Sequence, residues 1–278
     1  MTKQTMIGQT QIAKRFVRLA LVVLTCGFCL GSDAPGSSAT SKLPDLLQRT
    51  REQMSEYLDR FSDVRCTERV VQEKFRNGKD KIDLKEESTY DYLVMLSNTG
   101  GELNLSESRL PVHQAKADKK NRSMLVSNGF ATLFLVFHPL YANSFEFNTA
   151  GEEVANGHRL IKVAFRHIRG TRTPAALALR GREYPLELSG TAWIDTDTVV
   201  IARISAGIDN TMVDVGLNTL QTDVEFVPVP FHDPEKTYWF PSRAIVEVET
   251  PRQHWRNTHE FTNYKRFEVS TEEQVATK

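Results

Sequence analysis

An α+β fold, with antiparallel β-structure in the majority, is predicted by two observations on this 278-residue chain. From Val64 onward the apolar residues mostly alternate with polar ones or gather in β-branched runs, broken by turn residues. Helical spacing, by contrast, is confined to two stretches, one near residue 50 and one near residue 134. No repeat of fixed period is visible.

The N-terminus comes first. Lys3, Lys14, Arg15 and Arg18 precede a 12-residue apolar run, Leu19 to Leu30, and no acidic residue occurs before Asp33. That order is the layout of a secretory signal peptide. The run falls short of the roughly 20 residues a permanent membrane helix needs. Residues 1–31 are therefore read as a leader, 32–42 as a polar tether, 43–269 as a single β-rich domain and 270–278 as a disordered tail. Cys26 and Cys29 form a CxxC inside the leader, where no folded site can lower a thiol pKa. Lipid attachment at either cysteine fits poorly, because Thr25 precedes Cys26, with Val23 three back, and Phe28 precedes Cys29. Cleavage after Gly31 or Ala39 fits the small-residue rule better. Cys66 is then the sole cysteine beyond the leader, read as a small buried apolar residue.

Charge narrows the partners. The whole chain carries 35 basic and 35 acidic residues. Taking the leader's four basic residues from 35 leaves 31 against 35, a mildly acidic body with no basic block. Nucleic acid, whose phosphates need clustered Lys and Arg, is a poor partner for it.

Within the body, Leu46, Leu47, Met54, Tyr57, Leu58 and Phe61 fall near helical spacing, with charged residues between them. Pro44 suits a first turn and Asp45 the N-terminal dipole, so a helix with one apolar stripe is predicted over 44–61. CTERVVQEKF, KIDLKEESTYDYLVML and ELNLSESRL then read as an antiparallel meander, with turns at Asn77-Gly78 and at 98–101. Residues 116–122 form a charged loop. Phe130, Leu133, Phe134 and Phe137 recur at i, i+3, i+4 and i+7, which predicts a very apolar helix over 128–138 stopped by Pro139.

Six strands follow: 159–168, 184–193, 199–206, 220–229, 238–248 and 254–269. Asp195 to Thr198 makes a tight turn. With Ile194 opposite Val199, Ala192 would face Ile201 and Gly190 would face Arg203, while Thr191, Trp193, Val200, Ala202 and Ile204 share the other face. Both faces are then partly apolar, so this sheet is buried on two sides or bent round something greasy.

The phrases GTAWIDTDTVVIARI (190–204), YWFPSRAIVEVE (238–249) and HEFTNYKRFEV (259–269) carry a resemblance. Together with the order leader, amphipathic helix, meander, apolar helix and long hairpins, they resemble the lipoprotein-carrier superfamily of the bacterial envelope (LolA/LolB/RseB-like). Its members include outer-membrane lipoprotein-sorting proteins and an envelope-stress sensor that binds an anti-sigma factor. The resemblance implies a curved, incomplete β-barrel with the N-terminal helix and the short apolar helix across its open side, and a hollow that shelters acyl chains. It places Arg203 at the arginine of the hairpin pattern, where an ion pair is the plain reading.

Chemistry finds little foothold. No GxSxG, HExxH, P-loop or GxGxxG pattern occurs. His254 and His259 are five apart, on opposite faces of a strand, and no metal or cofactor is expected. Asp63, Glu68, Glu86, Glu87, Asp195 and Asp197 are read as exposed carboxylates rather than an acid–base pair. Tyr90, Tyr92, Trp239, Phe240 and Trp255 are read as sheet-packing aromatics. The expectation is an exported, non-catalytic protein of a Gram-negative-type periplasm or envelope that binds a lipid, lipoprotein or other hydrophobic ligand. Phe130, Leu133, Phe134, Phe137, Trp193, Val200 and Ile204 are the residues expected to line its hollow. The alternatives are a periplasmic sensing or scaffolding module with an envelope protein as partner, and a hydrolase of unrecognised type. Contact with a membrane would come only through the leader or a lipid anchor.

Overall fold

The computed structural model describes residues 42–62, 64–76, 81–99, 102–112, 133–179, 181–231 and 237–266. The leader, most of the tether, the turn at Asn77-Gly78, the charged loop 116–122 and the tail fall outside the described residues, as does Phe130.

Helix α1 runs Lys42–Ser62, with Asp45 in its first turn. Leu46, Leu47, Thr50, Met54 and Leu58 are buried along one stripe, as the spacing predicts. Thr50 satisfies its hydroxyl by donating to the Leu46 carbonyl at 2.8 Å, which lets a polar side chain sit in that stripe. The meander follows as β1 (Val64–Phe75), β2 (Ile82–Thr99) and β3 (Glu102–Pro111).

The apolar stretch near residue 134 is not an α-helix to His138. A 3₁₀ turn spans Phe134–Phe137, and Pro139 opens a further short helix, α2 (Pro139–Ala142). Proline ends the first element because it offers no N–H, yet it suits the first position of the next. The His138 imidazole Nδ1 accepts from the Leu140 N–H at 3.2 Å and caps it.

The remaining strands are β4 (Phe145–Ala155), β5 (His158–His167), β6 (Ala176–Leu179), β7 (Arg182–Pro185), β8 (Leu188–Asp195), β9 (Ile201–Ile208), β10 (Thr219–Pro230), β11 (Thr237–Glu249) and β12 (His254–Arg266). Two departures from the sequence reading stand out. The predicted strand 184–193 is two strands, broken at Leu186 and Glu187 after Pro185, and β7 pairs with β6 in a small separate sheet. β4 has no counterpart in the sequence reading.

Among the described residues ten strands make one antiparallel sheet in the order β3-β2-β1-β12-β11-β10-β9-β8-β5-β4. Its end strands β3 and β4 do not pair with each other, so the sheet curves without closing into a barrel. One row of inward residues crosses it: Val163, Ala192, Ile204, Val224, Ala244, His259 and Val70 are successive cross-strand partners. All seven are buried. The next row carries Phe165, Gly190 and Ala206. A Cβ on Gly190 would come within 2.1 Å of the Ser205 carbonyl oxygen and 2.8 Å of the Phe165 ring, so only glycine permits this approach.

The outward face is a lattice of ion pairs. Arg69 bonds both Glu87 and Glu260, Arg203 bonds Asp223 at 2.7 Å, and Arg256 bonds Glu247. Arg203 thus makes the ion pair that the hairpin pattern suggested.

Candidate functional site

The β8–β9 turn determines where the site lies. Asp195 Oδ1 accepts from the Asp197 N–H at 2.9 Å, the Thr198 N–H at 2.8 Å and the Thr198 hydroxyl at 2.9 Å. Its Oδ2 takes the His158 Nδ1–H at 2.7 Å. Burial alone would raise this carboxyl; the bonds from Thr198, Asp197 and His158 outweigh it and hold the group below its ordinary value. Val199 follows at φ 60, a left-handed conformation rare for a β-branched residue. That kink, with the irregularity between Trp193 and Ile194, sets the register.

The resulting pairing differs from the sequence expectation. Ala192 faces Ile204, not Ile201, and Trp193 faces Arg203. Trp193 and Ile204 therefore lie on opposite faces. Trp193 is outside, with Arg203 over its ring at 4.6 Å and its indole N–H on Glu153 at 3.2 Å.

Beyond Glu225, β10 loses β9 as a partner, and β11 has β12 beside it only from Arg243 onward. Phe226–Pro230 and Thr237–Pro241 thus pair only with each other, as a two-stranded arm. Pro228, Pro230 and Pro241 bring no N–H to its edges, which blunts them against further pairing. The Tyr264 hydroxyl donates to the Pro241 carbonyl at the base of the arm. At its other side the Trp239 ring meets the His158 imidazole edge to face at 5.7 Å, so the Asp195–His158 pair buttresses the arm.

Between this arm, the β8–β9 turn and α1 lies a cavity of about 410 Å³. Its buried depth is Met54, Phe134, Ile201 and Phe226. Tyr57, Val200, Tyr238 and Trp239, all half-buried, form its walls, and Gln53, Glu56, Thr198 and Thr237 its polar rim. The back is stiffened by aromatic contacts. Tyr57 meets Phe134 edge-on at 5.0 Å, Phe134 meets Phe226 at 6.0 Å, and Phe240 stacks on Tyr264 at 5.1 Å. Burial pushes the Tyr57 hydroxyl well above its ordinary value, so it stays neutral. An apolar pocket with a few polar groups at its lip has the general character of sites that take apolar ligands.

Of the residues expected to line a hollow, Phe134 and Val200 do so. Leu133, Phe137 and Ile204 are fully packed elsewhere in the core. Phe137 sits 5.2 Å from Phe147 and 6.0 Å from Phe165. Met54, Tyr57, Phe226, Tyr238 and Trp239 were not among the expected lining. Their signal was present: Tyr238, Trp239 and Phe240 are consecutive aromatics between prolines, and a one-sided strand cannot bury all three on one face.

On the β1–β3 side of the sheet lies a polar cluster. Glu68 takes the Arg109 guanidinium on both oxygens, at 2.5 and 2.9 Å, and His259 Nδ1 at 2.7 Å. Arg109 also reaches Glu107 at 3.1 Å and lies over the Tyr92 ring at 5.0 Å. Glu68 and Asp195 are buried, which corrects the reading of these carboxylates as exposed, and His259 is buried with them. Burial raises the Glu68 carboxyl, and the His259 and Arg109 bonds more than reverse this, leaving it low. Cys66 is buried as expected, and desolvation pushes its thiol up to about 12. A thiol so placed is a poor nucleophile. Among the described residues no cluster of three or more His, Cys, Asp or Glu is arranged to hold a metal ion, and no helix is long and apolar enough to cross a membrane.

No family model matches the chain, and no curated protein matches it. Solved structures do. A DUF1329 family protein from Desulfovibrio piger is 14% identical, with a TM-score of 0.39, over 82% of this chain and 92% of that one. A LolA superfamily protein from Nitrosomonas europaea is 12% identical, with a TM-score of 0.35, over 81% and 94%. The Mycobacterium tuberculosis lipoprotein LppX is 9% identical, with a TM-score of 0.25, over 82% and 99%.

Proposed function

We propose that this protein is a non-catalytic component of the bacterial envelope that holds a hydrophobic ligand, an acyl chain or the lipid-bearing end of a lipoprotein, in the pocket between α1 and the β10–β11 arm. The observation that carries this reading is the apolar depth of that pocket, Met54, Phe134, Ile201 and Phe226, open at a polar rim. Each methylene moved from water into such a site is worth about 0.8 kcal/mol, so a chain of modest length gains enough to be retained. The leader-like N-terminus supports an envelope location.

A protein partner on the outward face is less well supported, because Arg69, Arg203 and Arg256 there are already paired with carboxylates of neighbouring strands. A hydrolase is disfavoured by the burial of Cys66, Glu68 and His259, none of which lines the pocket. The test is native mass spectrometry of protein purified from an envelope fraction, with titration of a fluorescent fatty acid. Copurifying lipid and saturable one-site binding are expected. No bound lipid together with no probe binding would remove the reading.

A further inference from the structure

We infer that the pocket takes a single acyl chain, so that its ligand is a one-chain amphiphile rather than a diacyl or triacyl lipid. This rests on the reading of the pocket as a lipid site and narrows it. Three observations lead there.

The first is volume. A methylene fills about as much space as a water molecule, whose share of the liquid is about 30 Å³. The cavity of about 410 Å³ therefore accommodates roughly fourteen methylenes, which is one chain of ordinary length. Two such chains do not fit.

The second is that, among the described residues, the rest of the inward face is closed. Phe137 is enclosed by Phe147 and Phe165, and Val136, Val163, Ala192, Ile204 and Val224 have no exposure. The β1–β3 side holds the Glu68–Arg109–His259 cluster, where a chain would have to displace bonded ions. Among the described residues, chains beyond the first thus have no apolar space to enter from the pocket.

The third is the character of two other hollows. The cavity by Arg169, Glu187 and Asp214, also about 410 Å³, is lined by charged as well as apolar side chains. The one of about 530 Å³ on the outward face is lined by Arg203, Asp223, Glu225, Arg243, Glu247 and Arg256 among others. Neither is an apolar slot for a second chain.

The test compares two ligands with the same phosphocholine head and the same total of about fourteen chain carbons, set by the volume above. One is monomyristoyl lysophosphatidylcholine and the other diheptanoyl phosphatidylcholine, each displacing a dansyl-labelled fatty acid from the full chain below its micelle concentration. The one-chain lipid should displace at a concentration at least tenfold lower. Along a lyso series, affinity should rise by up to about fourfold per methylene and level off near fourteen carbons. Val200→Trp, which fills the slot from its half-buried wall, should abolish displacement with circular dichroism unchanged. If that variant does not fold, Phe226→Ala serves instead and should move the plateau to longer chains. Equal displacement by the two lipids, or a rise that continues through eighteen carbons in the parent chain, overturns the one-chain inference while leaving lipid binding intact. Failure of every amphiphile and of the probe overturns the lipid reading itself.

Discussion

Glu68 is the residue on which burial and charge are most opposed. Its carboxylate has no exposure and is held by a two-pronged arginine and an imidazole. Removing one partner of such a pair leaves a buried charge uncompensated, which costs about 3–5 kcal/mol, whereas removing both costs far less. Arg109→Met should therefore destabilise by about that amount, and Glu68→Gln added to it should restore a measurable part; urea denaturation of the double-mutant cycle reads the coupling. Additivity of the two substitutions would contradict the pairing. The pH dependence follows from the sign of the shift. The folded-state value of Glu68 is depressed, so its contribution is fully present above the unfolded value, about 4.3. It is lost as pH falls through the folded value. Acid titration of stability should show a fall below about pH 4.5 that is shallower in Glu68→Gln. A neighbouring group gives a separate check. The Cys66 thiol, buried and pushed up to about 12, should react with a maleimide at neutral pH only on the timescale of unfolding; rapid labelling of native protein would show that the site opens.

At the scale of elements, the β8–β9 hairpin shows what one side chain can organise. The single carboxylate of Asp195 satisfies two backbone donors, a hydroxyl and an imidazole, while Asp197 in the same turn is exposed. Asp195→Ala strands two amides and frees His158, so a loss of about 2–3 kcal/mol is expected, against a few tenths for Asp197→Ala. Thermal denaturation of the two variants measures the contrast, and similar losses would refute the role given to Asp195. The same hairpin marks the limit of legibility. Alternation and turn residues located the strands at 199–206, 220–229, 238–248 and 254–269 to within three residues of their observed ends, and helical spacing located α1. Register escaped, because it depends on Val199 at φ 60 and the adjacent irregularity, and neither leaves a mark in composition. β4 escaped because it is an edge strand whose residues from Asn148 to Val154 are all exposed, so the alternation that one-sided burial imposes is missing. Glu68 and Asp195 escaped because their partners lie 41 or 191 residues away for the first and 37 for the His158 of the second.

For the molecule as a whole, the inward face of one open sheet serves two ends that a substitution pattern can separate. Toward Phe145, Phe147 and Phe165 it is filled, with Phe137 wholly buried as the central ring. Toward the arm it is hollow, bounded by Val200 and the Phe134–Phe226 contact. Phe137→Ala should remove packing and leave a cavity that the fixed surroundings cannot fill, at a cost of about 3–5 kcal/mol. Its affinity for a fatty-acid probe should stay within about twofold, since a change below ~0.4 kcal/mol is what an indirect effect at a separate site delivers. Val200→Trp should do the reverse, because Val200 is half-exposed at the wall and its enlargement displaces ligand more than it strains the core. Here stability should shift by less than about 1 kcal/mol while probe binding is lost. Measuring both quantities on both variants, by denaturation and by fluorescence titration, gives a crossed pattern if filled and hollow regions are distinct. Were Phe137→Ala to weaken the probe as much as Val200→Trp does, the hollow would have to extend under the 3₁₀ turn, and the pocket drawn from α1, the hairpin turn and the arm would be only its mouth.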